Sequence, residues 1–253
     1  MTDESRLIVT RDGPVASVIL NRPDKRNAVD LSTCHALRSA FQELDADPTV
    51  LVVLISGAGP SFCAGADLSE RKGRDAAWVR QRRLAAFAAY DAIERCGVPV
   101  VALVHGAVVG AGGEIAMAAD FIIAAEGTVF RFPEPKWGTV GATQRLQRAI
   151  GIRGAKELLF TGRDLPAAEA LARGLGARVV PAGDLEATGQ DIAAAIAAAP
   201  ALAIRLTKQA INLGGTTDLA NGIRIELAAI DHNLAEGDWQ KGQERFMDRK
   251  KDS

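Results

Sequence analysis

Histidine, cysteine and aromatic side chains are scarce in this chain of 253 residues. The three cysteines (Cys34, Cys63, Cys96) are widely spaced, and none of the three histidines (His35, His105, His232) has a spacing to them that suggests a metal site. An odd number of widely spaced cysteines points to reduced thiols in a cytoplasm rather than to a disulfide frame. Neither sign of charge dominates: 30 Lys and Arg face 31 Asp and Glu, for a net charge of −1. A nucleic-acid polymer or an anionic membrane is therefore not the expected partner. No apolar run has the length of a membrane span; residues 192–204 are uncharged but short, Ala-rich and interrupted by Pro200. The first six residues have the wrong charge order and no apolar core for a signal peptide. An enzyme of this composition is expected to work with carboxylates, backbone groups or a bound coenzyme.

What is present suits a globular protein of one large domain or two small ones, with 48% hydrophobic and 24% charged residues. The first half alternates β-type runs with helical segments. Residues 7–10 and 15–20 are strand-like and joined by a turn at Asp12-Gly13-Pro14. Residues 31–44 have helical periodicity, with Asp30 or Ser32 as cap and Leu31, His35, Leu37, Phe41 and Leu44 on the non-polar face. Residues 50–56 and 100–104 are apolar runs of the kind found in strands buried on both faces. A long helical region is predicted over residues 68–95, and strands over 121–125, 129–132 and 178–180. From about Leu185 the pattern is wholly helical. Alternation followed by helices predicts an α/β core with a helical C-terminal extension, divided as 1–195 and 196–253.

Three segments carry candidate chemistry. In Phe62-Cys-Ala-Gly-Ala-Asp-Leu68 the small residues let a ligand approach the backbone, while Asp67 and Glu70 have the spacing of a capping box. Read alone, this is a tight turn with an ordinary cap. In His105-Gly-Ala-Val-Val-Gly110-Ala-Gly-Gly-Glu114-Ile a glycine-rich turn opens a helix. The dinucleotide fingerprint fails there, because Ile115 occupies its third glycine. Glu114 adjoins small and apolar residues, so a buried carboxylate is expected, and a buried carboxylate needs a reason. In Phe130-Arg-Phe-Pro-Glu134-Pro, Glu134 is flanked by two prolines and alone would read as a surface glutamate.

Together these segments say more. Two small-residue turns after hydrophobic strands can aim two N–H donors at one oxygen, and two glutamates twenty residues apart can flank one reacting centre. Such a site suits a thioester carbonyl that becomes an enolate.

The sequence here resembles the crotonase family, also called the enoyl-CoA hydratase/isomerase superfamily, over nearly its whole length. Asn21-Arg-Pro-Asp-Lys-Arg-Asn-Ala28, Ala64-Gly-Ala-Asp67, Gly110-Ala-Gly-Gly-Glu114, Pro133-Glu134, Thr143-Gln-Arg-Leu146 and the tail around Phe246 carry the resemblance. It implies an α/β spiral of ββα units, a helical trimerisation region, and a homo-oligomer that is a trimer or a dimer of trimers. It implies an oxyanion hole from the N–H groups of Ala66 and Ala111, with Glu114 and Glu134 holding a water beside the double bond. Coenzyme A, here part of the substrate rather than a separate cofactor, would lie along Lys25, Arg26, Ala28, Ala64, Ala66, Asp67, Leu68 and Ala111, with Phe246 and Lys250 from the tail. The implied activity is hydration of a 2-enoyl-CoA. Isomerisation or C–C hydrolysis on the same scaffold, and a non-catalytic acyl-CoA or RNA scaffold, are the alternatives. Basic residues at Lys25 and Arg26, at Arg71, Lys72 and Arg74, and at Lys250 and Lys251 could meet coenzyme phosphates, although solvated surface charge accounts for most such residues.

The sequence departs from the family pattern at three places. Ala111 stands where glycine is usual. The loop after Glu134 is about three residues shorter, a change folding tolerates because loop-closure entropy varies slowly with length. Arg131 replaces a small residue, and strand alternation is expected to point it away from the thioester. Cys63 and His105 are read as structural, and core packing is the first reading of Trp78, Phe87 and Tyr90. His232, Trp239 and Phe246 are candidates for helix packing and assembly.

Overall fold

Unbroken apolar strands need cover on both faces, and the order of elements supplies it. The computed structural model of the protein describes residues 6–236 together with 239, 240, 242, 243 and 247. The chain begins with β1 (Leu7–Asp12), β2 (Val15–Leu20), α1 (Leu31–Ala46), β3 (Val52–Gly57), α2 (Ala76–Glu94) and β4 (Val100–Val104). It continues through β5 (Ala107–Val109), α3 (Ala111–Ala118), β6 (Phe121–Ala125), β7 (Val129–Arg131) and α4 (Thr143–Thr161). Next come β8 (Asp164–Pro166), α5 (Ala167–Ala172) and β9 (Arg178–Val180), then α6 (Leu185–Ala197), α7 (Ala201–Gly214) and α8 (Leu219–Glu236).

The main sheet has the order β1-β2-β3-β4-β6-β9. Only the β1–β2 hairpin is antiparallel; the other pairs are parallel, as helical crossovers require. Side-chain alternation divides each central strand between two cores. Val52, Leu54, Val101, Leu103 and Ile123 pack with Leu185 and Ala193 of α6. Val53, Ile55, Val100 and Ala102 belong to the larger core with Phe41 of α1 and Ala89 and Ile93 of α2. Each such aliphatic side chain contributes about 1.5–3 kcal/mol when fully buried. A smaller sheet, β5-β7-β8, stands beyond α3. The strands β5 and β8 have no counterpart in the sequence reading: β5 runs into the glycine-rich turn at Gly110, and β8 carries Asp164 and Pro166.

Two local expectations are revised. The helical region predicted over 68–95 is two elements: a one-turn 3-10 helix, Leu68–Arg71, and α2, which restarts after Gly73 with Asp75 capping the N–H of Trp78 at 2.8 Å. Nor do Asp67 and Glu70 form a capping box. Asp67 accepts from Ser69 N–H, whereas Glu70 accepts from the N–H of Leu31 at 2.9 Å and pairs with Arg82 at 2.6 Å. Glu70 thus ties α1, α2 and the 3-10 turn together. On α1, Asp30 caps Thr33 N–H at 2.8 Å, but His35 is exposed; Thr33, Cys34, Leu37, Ala40, Phe41 and Leu44 are buried.

The last two helices pack on each other, with Gly214 facing Gly222 across the contact. On α8 the apolar residues Leu219, Ile223, Leu227, Ile230 and Leu234 recur at helical spacing, yet all remain exposed. Among the described residues no single helix is long and apolar enough to cross a membrane.

Candidate active site

Two backbone turns form one wall of an open cleft with a cavity volume of about 120 Å³. In the first, Val29 N–H donates to Gly65 at 2.8 Å and the Val29 carbonyl accepts from Asp67 N–H at 2.8 Å. This is a parallel bridge between Val29 and Ala66. In such a bridge the N–H of Ala66 itself points away from Val29, and Ala66 lines the cleft. Asn27 stiffens the outer side of this turn. Its amide donates to the carbonyls of Ala58 and Ser61, both at 2.8 Å, and its oxygen accepts from Arg22 N–H.

The second turn follows β5. Gly110 N–H donates to Arg131 at 2.9 Å, and the first helical bond of α3 runs from Glu114 N–H to Gly110 at 3.0 Å. The N–H of Ala111 therefore precedes the helical ladder and is free for a ligand. Gly110 has φ +48°, and a Cβ there would come 3.0 Å from Glu134 Oε1, so both backbone and space require glycine. A Cβ on Gly112 would stand 2.5 Å from the Cys63 carbonyl oxygen, so this glycine lets α3 approach the first turn. Ala111 is the first residue of α3, where helical backbone angles suit alanine. Its departure from the usual glycine leaves the amide in place.

The two glutamates line the same cleft beside the second turn, in unlike settings. Glu114, in the first turn of α3, is buried. Its Oε1 accepts from Ala142 N–H at 2.8 Å and its Oε2 from Arg145 Nη1 at 3.2 Å. Arg145 also pairs with Glu94 and lies 5.7 Å from the ring centre of Tyr90. Glu134 begins a one-turn helix, Glu134–Trp137, which ends at left-handed Gly138. Its Oε2 is buried with no hydrogen-bond partner among the described residues. Burial, with repulsion from Glu114, raises its pKa above the ordinary 4.5, while Arg83 acts in the opposite direction. The structure thus brings Glu114, Glu134, Ala66 and Ala111 to one cleft. A carboxyl with a raised pKa, an anchored second glutamate and two free amides can polarise a carbonyl and move a proton beside it.

The shortened loop is what completes Glu114. Arg83 of α2 donates to the Val140 carbonyl at 2.5 Å and to the Thr139 hydroxyl, drawing the loop over the cleft. The loop ends at Ala142, in a left-handed conformation with its N–H on Glu114. Arg131 is exposed, pairs with Asp164 of β8 and is absent from the cleft lining, while Phe130 and Phe132 on the other side of the strand are buried.

Other expected residues fall in different places. Ala64, Ala66, Leu68 and Ala111 line the cleft, whereas Lys25, Arg26, Ala28 and Asp67 do not. The Lys25 and Arg26 side chains are exposed, and the Arg26 carbonyl accepts from Ala64 N–H at 2.9 Å, linking that loop to the cleft wall. The Ala28 carbonyl and the Asp67 carboxylate both accept from Arg22. Phe246, Lys250 and Lys251 lie outside the described residues. His232 and Trp239 are exposed. Cys63 is fully buried, with its thiol pushed up to about 12 chiefly by desolvation, which removes it as a nucleophile at neutral pH. His105 holds the Gly59 carbonyl at 2.9 Å. Phe87 and Tyr90 pack edge to face, 5.8 Å apart, and both line the cleft, while Trp78 instead stacks under Arg74. Arg71, expected only as one of several basic residues for coenzyme phosphates, lines the cleft, and Arg83 and Arg145 are the site residues missed as such. Arg83 looks like helix-surface charge in sequence, and Arg145 appears only within the Thr143-Gln-Arg-Leu146 match.

The chain is similar to known proteins over nearly its whole length. A family model described as enoyl-CoA hydratase/isomerase matches residues 10–253. The short-chain-enoyl-CoA hydratase of Clostridium acetobutylicum is 35% identical, over 98% of this chain and 96% of its own. "Probable enoyl-CoA hydratase echA8" of Mycobacterium tuberculosis is 36% identical, over 99% and 97%. The crystal structure of enoyl-CoA hydratase from Bacillus anthracis superposes with a TM-score of 0.94 at 34% identity, covering 96% of each chain. A Thermobifida fusca chain solved in complex with CoA superposes with a TM-score of 0.86 at 31% identity, over 93% of this chain and 95% of that one. With the same fold, near-complete coverage and a matching family model, this chain belongs to the enoyl-CoA hydratase/isomerase family and has the crotonase fold.

Proposed function

We propose that this protein adds water reversibly across the double bond of a 2-enoyl-CoA thioester. The observation that carries the reading is the pair of unlike carboxylates beside two free amides in one cleft. The thioester oxygen accepts from the N–H groups of Ala66 and Ala111. Glu114, fixed by Arg145 and Ala142, accepts one O–H of a water and orients it. The water oxygen attacks C3, its other proton passes to Glu134, and the electron pair of the double bond moves onto the thioester as an enolate. The enolate then takes that proton back from Glu134 at C2. C3 gains OH, C2 gains H, and both carboxylates return to their starting state. The raised pKa of Glu134 makes it a stronger base when ionised and suits it to receive and return the proton.

The coenzyme portion is assigned to the Lys25-Arg26 loop, Ala28 and the backbone from Ala64 to Leu68, with Phe246 and Lys250 added from the tail. The exposed apolar faces of α7 and α8 are assigned to self-association as a trimer or a dimer of trimers. Incubation with crotonyl-CoA tests the activity: a product one water heavier by mass supports hydration, whereas an isomer of unchanged mass or a released acid contradicts it.

A further inference from the structure

Four arginines stand around the cleft, and their charges are not equally met. Arg82 pairs with Glu70 and also donates to the Val29 carbonyl. Arg145 pairs with Glu94 and Glu114. Arg83 spends its hydrogen bonds on neutral oxygens, the Val140 carbonyl and the Thr139 hydroxyl. Arg71 has no ion pair among the described residues, and its Nε is buried without a hydrogen-bond partner. Both Arg71 and Arg83 line the same cleft as Glu114 and Glu134. Burial, and then the neighbouring charges of Arg83 and Arg82, lower the pKa of Arg71 from its ordinary value. Arg71 is partly buried, with its Nε shielded, and a cation so placed beside two others is favoured by an anion that joins it.

Resting on the hydratase reading, we propose that the preferred 2-enoyl thioester carries a carboxylate on its acyl chain, and that Arg71 and Arg83 receive it. Their position favours the acyl group over the coenzyme phosphates. A Cβ on Gly141 would stand 3.2 Å from Glu134 Oε1 and 3.4 Å from Arg83 Nη1, which places Arg83 beside the reacting carboxylate. The exposed Lys25 and Arg26, by contrast, are absent from the cleft lining. A guanidinium offers a planar fork of donors that fits a carboxylate at two points. Phe87 and Tyr90 supply apolar wall for the carbons between the thioester and that group. A methyl-ended chain would leave Arg71 without an anion and its shielded Nε without an acceptor, so the site discriminates against it.

The test uses chain-matched 2-enoyl thioesters that differ only at the far end: pent-2-enoyl-CoA against glutaconyl-CoA, and hex-2-enoyl-CoA against hex-2-enedioyl-CoA. The wild-type enzyme should favour the carboxylate by about 100-fold in kcat/KM in at least one pair. Arg71→Met should reduce that ratio at least about tenfold, and Arg71→Lys should retain part of it, because the charge survives without the fork. A wild-type preference for the methyl-ended member of every pair would overturn the proposal. So would an Arg71→Met variant that loses both members of a pair equally, which would place Arg71 on the coenzyme. Calorimetric binding of glutaryl-CoA against pentanoyl-CoA to the wild-type protein needs neither variant nor turnover. Tighter binding of glutaryl-CoA supports charge recognition even if no thioester is hydrated, and equal or weaker binding contradicts it. Failure to hydrate any thioester would count against the hydratase reading alone.

Discussion

Glu114 and Glu134 belong to one cleft but to opposite kinds of structure. Glu114 rises from a buried helix, and each of its oxygens already has a donor, one from backbone and one from Arg145. Glu134 opens a one-turn helix beyond a three-residue strand, with one oxygen buried and unsatisfied. The rigid, satisfied carboxylate is suited to hold a water without exchanging its proton. The unsatisfied one is suited to exchange, because burial narrows the difference between its two protonation states at working pH. The contrast teaches that identical side chains receive different tasks from their hydrogen bonds rather than from their distance in sequence.

The contrast can be broken by substitution. Glu134→Gln should have the largest effect, lowering kcat for crotonyl-CoA hydration by about 10²–10⁴-fold, measured by loss of the enoyl absorbance. Ala111→Pro removes one oxyanion donor at a helix position that tolerates proline; kcat should fall by about 10²–10³-fold while circular dichroism stays unchanged. In the wild type, kcat/KM should rise about tenfold per pH unit until the raised pKa of Glu134 is passed, then level off, since the ionised form accepts the water proton. Hydration and dehydration should share this profile, because their equilibrium takes up no proton.

The smaller effects concern stability. Arg145→Met leaves the buried Glu114 with a single donor and should lower unfolding free energy by about 3 kcal/mol, read from a urea titration. Glu134→Gln should act in the other direction. The folded-state pKa of Glu134 lies above its unfolded value, so the folded protein binds the proton more tightly. Stability therefore falls as pH rises through the interval between the two values. The amide removes that penalty, and the melting temperature at neutral pH should rise by about 2–4 °C for each kcal/mol regained.

Much of the fold could be read from hydrophobic runs. Residues 100–104, 121–125 and 178–180 were expected as strands and are β4, β6 and β9. In β4 and β6 the apolar character is continuous because both faces are covered, whereas β9 opens with exposed Arg178 and shows only Val179 and Val180. The two turns and two glutamates were also visible, since small residues after a strand mark close approach of backbone. The role of Glu70 was hidden, because its partners Leu31 and Arg82 come from two separate helices. The break at Gly73 was hidden within a run of charged residues that suits a helix surface. Arg83 was hidden for a related reason: only tertiary packing turns an arginine of ordinary helical appearance toward a cleft. The face of α1 was misjudged at His35, whose neighbours Cys34 and Ala36 take the buried positions.

The division of labour between the glutamates is tested most directly by exchange of the α-protons of butyryl-CoA in D2O, followed by NMR. This saturated thioester can form the enolate but cannot take up water, so the proton carrier is observed without the water holder. Glu114→Gln should retain exchange within about tenfold of the wild type, and Glu134→Gln should lose it by at least about 100-fold. Exchange that survives in Glu134→Gln and disappears in Glu114→Gln would contradict the assignment.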